Sequence, residues 1–599
     1  MTREETPRPQ PRPWAALALV AYLILAVLLF ASAWRAPRTL AIGGGVDTPQ
    51  FMWFFRWPSF ALLHGHNPLV SNYIDFPAGM NLMWNASMPL VGVVLTPIEL
   101  WLGPVFSFNL VTTVALALSA WTAYLAILRY VRSQVGAAIG GLVYGFSPFM
   151  LAHSLGHPHV TLAFIPPLFL IVLDEMLLRQ TRPFWQSGLI LGVLAGVQLV
   201  IGEELLATSV IVAALGLLIL IGLHPQAVRG RLAYASRALG LAAGVFAVLA
   251  AVPLAVQFAG PQRVPGILQE QNIFVSDLLN FIVPTRMQAL APAFLTRISE
   301  RFTGDIAEWT AYVGIPLIVL LAFLVVRQWA RPIVRFAALL GVMLALLSLG
   351  PTLHFNGRIS HIPSFVLGLA FPLLAAFLPA RVMLYTLVGG WLALIKAPVL
   401  YNILPGRLML FAYLLVGLLL AIFIDTYLSR SVGRRRLLVA GVVLVALLPL
   451  LPHWPYDHTD ATVPAYFTSG DVTQIPSGSV ALVAPFSHGD EATAMLWEAA
   501  SGMRFRMPEG YGFIPGPAQD PPMTATQSIM VMVQRGEPSP EVTDSLRQQI
   551  LGDLRSLSVQ SVIVGPMANE DRMVSFFTDV LQTSPTQTDG VYVWPSLNP

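Results

Sequence analysis

Apolar stretches of about 16 to 22 residues, each long enough for a membrane-spanning helix, alternate with short polar turns from Trp14 to Leu451. Arginine clusters punctuate them: Arg129/Arg132, Arg179/Arg182, Arg229/Arg231/Arg237, Arg327/Arg331/Arg335 and Arg430/Arg434/Arg435/Arg436 recur after every second apolar segment. Basic residues concentrate in cytoplasmic loops, so this spacing predicts an inside N-terminus. It also predicts spans at 14–34 and near 107–128, 134–152, 160–178, 187–202, 205–223, 237–258, 309–326, 334–350, 362–379, 383–400, 408–426 and 437–452. That is about thirteen crossings, which leaves the C-terminus outside. To keep Arg129 inside, Ser87 to Pro104, with Pro89, Pro97 and Gly103-Pro104, is expected not to cross fully and to form a re-entrant or interfacial helix. Within 362–400, where Arg381, Lys396 and several prolines fall, one hairpin is open to a re-entrant reading.

Three outer regions exceed what joining neighbouring helices requires. The first outer loop, 35–106, carries Gly43-Gly-Gly-Val-Asp47-Thr-Pro-Gln50 and then the aromatic run Phe51 to Trp57. The middle outer loop, 260–308, is polar and ends at Glu308. Beyond His453 the periodicity changes: Ser479 to Phe486, Ser558 to Gly565 and Gly590 to Trp594 read as short strands, with a helix over Pro540 to Leu557 before the second. The expected architecture is an all-α polytopic membrane domain at 14–452, preceded by a cytoplasmic tail at 1–13 and followed by a small α/β extracytoplasmic domain at 453–599.

Composition supports that class. Of 599 residues, 56% are apolar and only 11% charged, and the mean hydropathy of +0.69 is far above that of a water-soluble globule. A net charge of +3 gives no reason to expect nucleic acid. With no cysteine, disulfides, thiolate nucleophiles and Cys-ligated metals are excluded. The first apolar segment is long for a secretory signal and lacks a small-residue cleavage site, so it is expected to be a retained helix.

Against this apolar background a few polar residues stand out. Asp47, with Gln50 one turn on, sits at the outer interface between a glycine hinge and an aromatic helix. It is the leading candidate for the reacting group, and capping of a helix starting near Pro49 is the structural alternative. His153, His157 and His159 gather at the outer end of one span, where imidazoles can move protons, hold a phosphate or ligate a metal. Gly156 and Pro158 break the spacing a helix-borne zinc site uses, and interfacial capping is the plainer alternative. Glu203-Glu204 lies at a tight turn between two spans, where paired carboxylates are costly unless they face water or a cation. Arg407 starts a late span on the outer side and suits a bidentate grip on a phosphate, as does nearby Lys396; snorkelling to headgroups is the alternative for Arg407. No Gly-x-Ser-x-Gly, Walker A or His-Glu-x-x-His motif is present.

An inside first helix, a long first outer loop with an acidic residue and an interfacial helix, many further spans and an extracytoplasmic C-terminal domain together resemble the GT-C superfamily of integral-membrane glycosyltransferases. Within it the chain looks like the bacterial YfhO-like, polyprenyl-phosphate-sugar-dependent branch. The resemblance covers about residues 14–452 and rests on architecture. It implies sugar transfer, usually inverting, from a polyprenyl-phosphate donor to a glycan, lipid or protein acceptor at the outer face of the bacterial cytoplasmic membrane. Asp47 takes the place of the superfamily's first-loop acid, and Arg407 that of the basic residue toward the lipid phosphate. Many members carry paired acids in that loop, whereas Asp47 is flanked by Val46 and Thr48. A divalent metal is therefore possible but indicated by no motif, and Glu203, Glu204 and Glu308 are the candidate second carboxylates. The catalytic candidates are thus Asp47, Glu203, Glu204 and His157; the substrate-binding candidates are Gln50, His153, His159, Glu308, Lys396 and Arg407. A transporter or flippase of lipid-linked glycans is the competing reading, and it predicts repeat symmetry that the sequence lacks. A third is a non-catalytic membrane scaffold for the C-terminal domain.

Overall fold

Proline and glycine punctuation sets most helix boundaries. The computed structural model describes residues 12–270, 272–364, 366, 402–429, 431–515 and 523–597, and these are mostly helical. Five helices are long and apolar enough to cross a membrane: Pro104–Ile127, Pro158–Arg179, Glu203–Leu223, Leu232–Ala259 and Pro405–Leu428. Shorter apolar helices are Pro13–Leu29, Pro89–Leu102, Phe184–Leu199, Ile315–Arg327 and Pro332–Ser348. The expected span at 362–379 begins in the strand Arg358–Pro363, and the rest of it past residue 366, the span at 383–400 and Lys396 lie outside the described residues.

The expected span at 134–152 is not one continuous helix. The stretch 134–152 splits into Gln134–Gly145 and Pro148–His153, because Ser147 adopts an extended conformation and caps the second helix through Met150 N while Pro148 takes its first position. The helix Pro89–Leu102 occupies the stretch expected to be re-entrant, with Pro97 inside it and Gly103 at its end in the left-handed region.

The chain divides into two compact units. The first comprises 1–31, 111–249 and 269–456. Its tightest helix pair is Gln134–Gly145 against Met409–Phe423: a Cβ on Gly140 would stand 2.6 Å from the Gly417 carbonyl oxygen, so only glycine permits the approach. Its arginine-bearing turns are tied by ion pairs, Arg129 and Arg179 both reaching Asp174 at 2.7 and 2.6 Å, with Arg129 also 3.2 Å from Glu175. Asp425 accepts from the backbone N–H of Arg132 and Ser133.

The second unit comprises 32–110, 250–268 and 457–599. It contains a four-stranded sheet in the order Val480–Ala484, Val559–Val564, Val591–Trp594, Thr586–Thr588. The first pair is parallel and the others antiparallel. The helices Ala525–Gln534, Asp544–Ser556 and Glu570–Leu581 bury Ile529, Val533, Ile550, Leu554, Phe576 and Phe577 in one core with the strand side chains Leu482, Val562 and Val564. The tail is knitted to the first outer loop within this unit. Met507 N–H donates to Tyr73 O, Phe76 N–H to Met507 O and Asp75 N–H to Glu509 O, at 2.7 to 3.1 Å. Leu40–Ile42 pairs antiparallel with His458–Asp460.

Candidate functional site

In the first unit, three distant segments converge on one guanidinium. Arg407 lies in the one-turn helix Pro405–Leu408, whose Gly406 N–H donates to Phe274 O at 3.3 Å. Its Nε and one terminal nitrogen both donate to Glu308 Oε1, at 3.0 and 2.8 Å, and its other terminal nitrogen donates to Glu204. Glu204 Oε1 also accepts from Leu404 N–H at 3.3 Å. Arg407 is 8% exposed and Glu308 2%, so this is a buried ion network rather than a headgroup contact.

The carboxylates are positioned by their own segments. Glu204 falls in the first turn of Glu203–Leu223, entered through Gly202 in an extended conformation; there the helix dipole favours acids. Glu308 follows a turn closed by its N–H to Asp305 O. The next residues are pinned by Tyr413, whose hydroxyl donates to Thr310 O or Tyr312 O at 3.0 and 2.7 Å, and by Asn280, which accepts from Ala311 N–H.

His153 completes the group. It is fully buried, stacks near Phe149 at 4.3 Å, and its Nε2 lies 3.8 Å from Glu308 Oε2. Neither imidazole nitrogen of His153 nor Glu308 Oε2 has a hydrogen-bond partner among the described residues. Burial pushes the Glu308 carboxyl above its ordinary pKa, and the Arg407 charge opposes that shift. The rings of His153 and His157 stand 5.4 Å apart, and those of His157 and His159 5.9 Å. Among the described residues, no three His, Asp or Glu side chains are placed to hold a metal. The structure thus brings together Glu204, Glu308, Arg407 and His153, with His157 and His159 following His153 in a chain of rings; Glu203 occupies the first position of its helix.

Asp47 and Gln50 belong to the second unit. The strand Leu40–Ile42 is fixed by Asn109, which accepts from Ile42 N–H and donates to Leu40 O, both at 2.8 Å. Gly43 and Gly45, with φ of 74° and 92°, then turn the chain into the helix Asp47–Leu63. The helix begins at Asp47 and not at Pro49, with Val46 in the cap position, so Asp47 lies within the first turn instead of serving as the N-cap. A carboxylate there is favoured by the helix dipole. Gln50 Nε2 donates to Tyr511 O at 2.7 Å, and Trp53 Nε1 to Glu498 Oε2 at 2.8 Å. Trp53 and Trp57 stack in parallel, 5.5 Å apart at 4°.

With both arrangements described, comparison with known proteins places the chain. The family model described as Domain of unknown function (DUF6311) matches residues 18–376, more than half the sequence. The chain belongs to the DUF6311 family. No curated protein sequence matches it. Among solved structures, the arabinofuranosyltransferase AftD from Mycobacteria is 15% identical with a TM-score of 0.52, covering 99% of this chain and 40% of its own. This DUF6311 chain therefore spans about two fifths of the length of that relative. The oligosaccharyltransferase AglB from Archaeoglobus fulgidus, solved with an inhibitory peptide and a dolichol-phosphate, is 12% identical, with 95% and 71% of the two chains covered and a TM-score of 0.47. ArnT from Cupriavidus metallidurans, solved with undecaprenyl phosphate, is 12% identical, with 98% of each chain covered and a TM-score of 0.38. The chain has the GT-C glycosyltransferase fold and is a multi-pass membrane protein.

The pairings of the buried acids were not readable from local sequence. Arg407 and Glu204 are 203 residues apart, and Trp53 and Glu498 are 445 apart. Glu498 and Glu509, in the polar stretch after His453, are both buried. The one available signal was Met495-Leu-Trp-Glu498-Ala-Ala, an acid inside an apolar run.

Proposed function

We propose that this chain is an inverting membrane glycosyltransferase that moves a sugar from a polyprenyl-phosphate donor to a glycan, lipid or protein acceptor at the outer face of the cytoplasmic membrane. The observation that carries this reading is the GT-C fold, shared with an arabinofuranosyltransferase over 99% of the chain. The placement in the YfhO-like branch, the count of about thirteen crossings, an inside N-terminus and a separate α/β domain over 453–599 belong to the same proposal.

In the proposed mechanism Asp47 is the general base. Its carboxylate takes the proton of an acceptor hydroxyl as that oxygen bonds to the anomeric carbon, while the bond from that carbon to the lipid phosphate oxygen breaks. Within the first unit Glu204 and Glu308 hold the Arg407 guanidinium, the cation we propose for the lipid phosphate. His153, in contact with Glu308, supplies or takes a proton as the charge of the network changes. A lipid-linked donor accounts for polar groups concentrated beside apolar helices and for the lack of a nucleotide-binding glycine loop.

The test is a panel of polyprenyl-phosphate sugars offered with glycan and lipid acceptors to the full chain in lipid nanodiscs. Transfer with inversion, lost in Asp47→Asn while the variant unfolds as the native chain does, supports the assignment. Movement of a lipid-linked glycan across the bilayer without any transfer would replace it with the transporter reading.

A further inference from the structure

The aromatic helix Asp47–Leu63 is gripped by the tail at two points on successive turns. Gln50 donates to Tyr511 O, and Trp53 donates to Glu498 Oε2. Glu498 lies in the helix Thr493–Ala500, which packs on the aromatic helix, and it is fully buried. Its neighbour Glu509, 2% exposed, accepts from Val483 N–H at 2.9 Å and so joins the same group to the central sheet. The remaining oxygens, Glu498 Oε1 and Glu509 Oε2, are buried with no hydrogen-bond partner.

The charged and titratable groups around this pair are few. Tyr73 and Asp75 face it from the first outer loop, and Arg506 from its own segment. Arg506 is drawn aside: its guanidinium carbon lies 5.3 Å from the Tyr73 ring centre and 5.4 Å from that of Phe76. Arg56, further along the aromatic helix, is influenced by Glu99 instead. Neither Glu498 nor Glu509 forms an ion pair among the described residues. Two buried carboxylates without an ion pair cannot both be ionised cheaply, and a proton on either one removes that cost.

We propose that Glu498 is a positioning residue that seats the aromatic helix, and with it Asp47 at that helix's first turn, on the tail, and that this seating is a proton-dependent latch shared with Glu509. It rests on the functional reading above only for the role of Asp47. Burial raises the pKa of both carboxyls, with Glu509 adding to the rise at Glu498 and Asp75 to the rise at Glu509, against the hydrogen bonds from Trp53 and Val483, which supports the same conclusion. Below their folded pKa the pair is neutral and the helix is seated. As pH rises through that value the pair ionises, and the tail loosens its hold on the helix.

Hydrogen exchange of the 50–60 backbone, measured on the full chain in nanodiscs between about pH 6 and pH 9 and corrected for intrinsic rates, tests this directly. The native chain should lose protection by about tenfold per pH unit for each proton the seated state retains. Glu498→Gln keeps an oxygen for Trp53 and cannot ionise, so its protection should be high and markedly less dependent on pH. Glu498→Ala should be poorly protected throughout. Native protection that does not change with pH, or a Glu498→Gln profile that follows the native one, would overturn the latch. Where transfer is measurable, its alkaline limb should move to higher pH in Glu498→Gln. A chain that transfers no sugar but shows the exchange profile refutes the enzymatic reading and leaves the latch standing.

Discussion

The two units bury their acids in opposite ways. Glu204 and Glu308 share a guanidinium, so the first unit balances negative charge with a cation from another segment. Glu498 and Glu509 have a tryptophan N–H and a backbone N–H but form no ion pair among the described residues, and burial raises the pKa of both. A cation-balanced site keeps its charge over a wide pH range and offers a group for binding an anion. A proton-balanced site changes its charge with pH and is suited to regulating a contact.

Removing the cation should give the largest effect. Arg407→Met leaves the buried Glu308 and the partly exposed Glu204 without their cation and is expected to cost about 3–5 kcal/mol, read from unfolding of the full chain in nanodiscs. Adding Glu204→Gln and Glu308→Gln to it should recover most of that loss. A triple variant no better than the single one would show that the network is not what holds these segments.

The pH dependence separates the units next. The ordinary carboxyl pKa is 4.5, and both Glu498 and Glu509 are raised above it by burial. Protons are therefore bound more tightly in the folded state, and stability is full at low pH and lost as pH rises above about 4.5 through the folded values. Proteolysis of the second unit should accelerate with pH in the native chain and much less so in a Glu498→Gln/Glu509→Gln double variant. Equal acceleration in both would place the sensitive groups elsewhere.

Smaller changes sharpen the contact itself. Trp53→Phe keeps most of the stacking but removes the donor to Glu498, and should cost about 1–3 kcal/mol of the stability of the second unit. Gln50→Met removes only the bond to Tyr511 O and should cost about 1 kcal/mol. If the order of these two is reversed, the Glu498 contact is not the main fastening.

Much of the helical framework was legible because its signals are local. The apolar run after Glu203 forms Glu203–Leu223, and the β-branched runs at 480, 559 and 591 form strands. Thr586–Thr588 was not legible, since a polar, largely exposed edge strand has no apolar alternation to announce it. The break at Phe146–Ser147 was missed because hydropathy continues across it while Ser147 and Pro148 restart the helix. At the candidate site, the unusual residues were visible as polar groups in apolar surroundings: Asp47, Glu204, Glu308, Arg407 and the histidines. Their partners were not, because hydrophobic periodicity carries no information about which turns meet across 99 or 203 residues. Arg407 shows the size of that gap: its guanidinium engages Glu204 and Glu308, neither of which its own segment announces.

The most direct test of the central claim compares the native chain with Asp47→Asn in nanodiscs, following sugar transfer from polyprenyl-phosphate donors. The substitution keeps the size of the side chain and removes the base. Native transfer that falls by about 10²–10⁴ in the variant, with unchanged unfolding, is the predicted result. Equal rates in the two proteins would contradict Asp47 as the base, and no transfer by either with any donor would contradict the glycosyltransferase assignment.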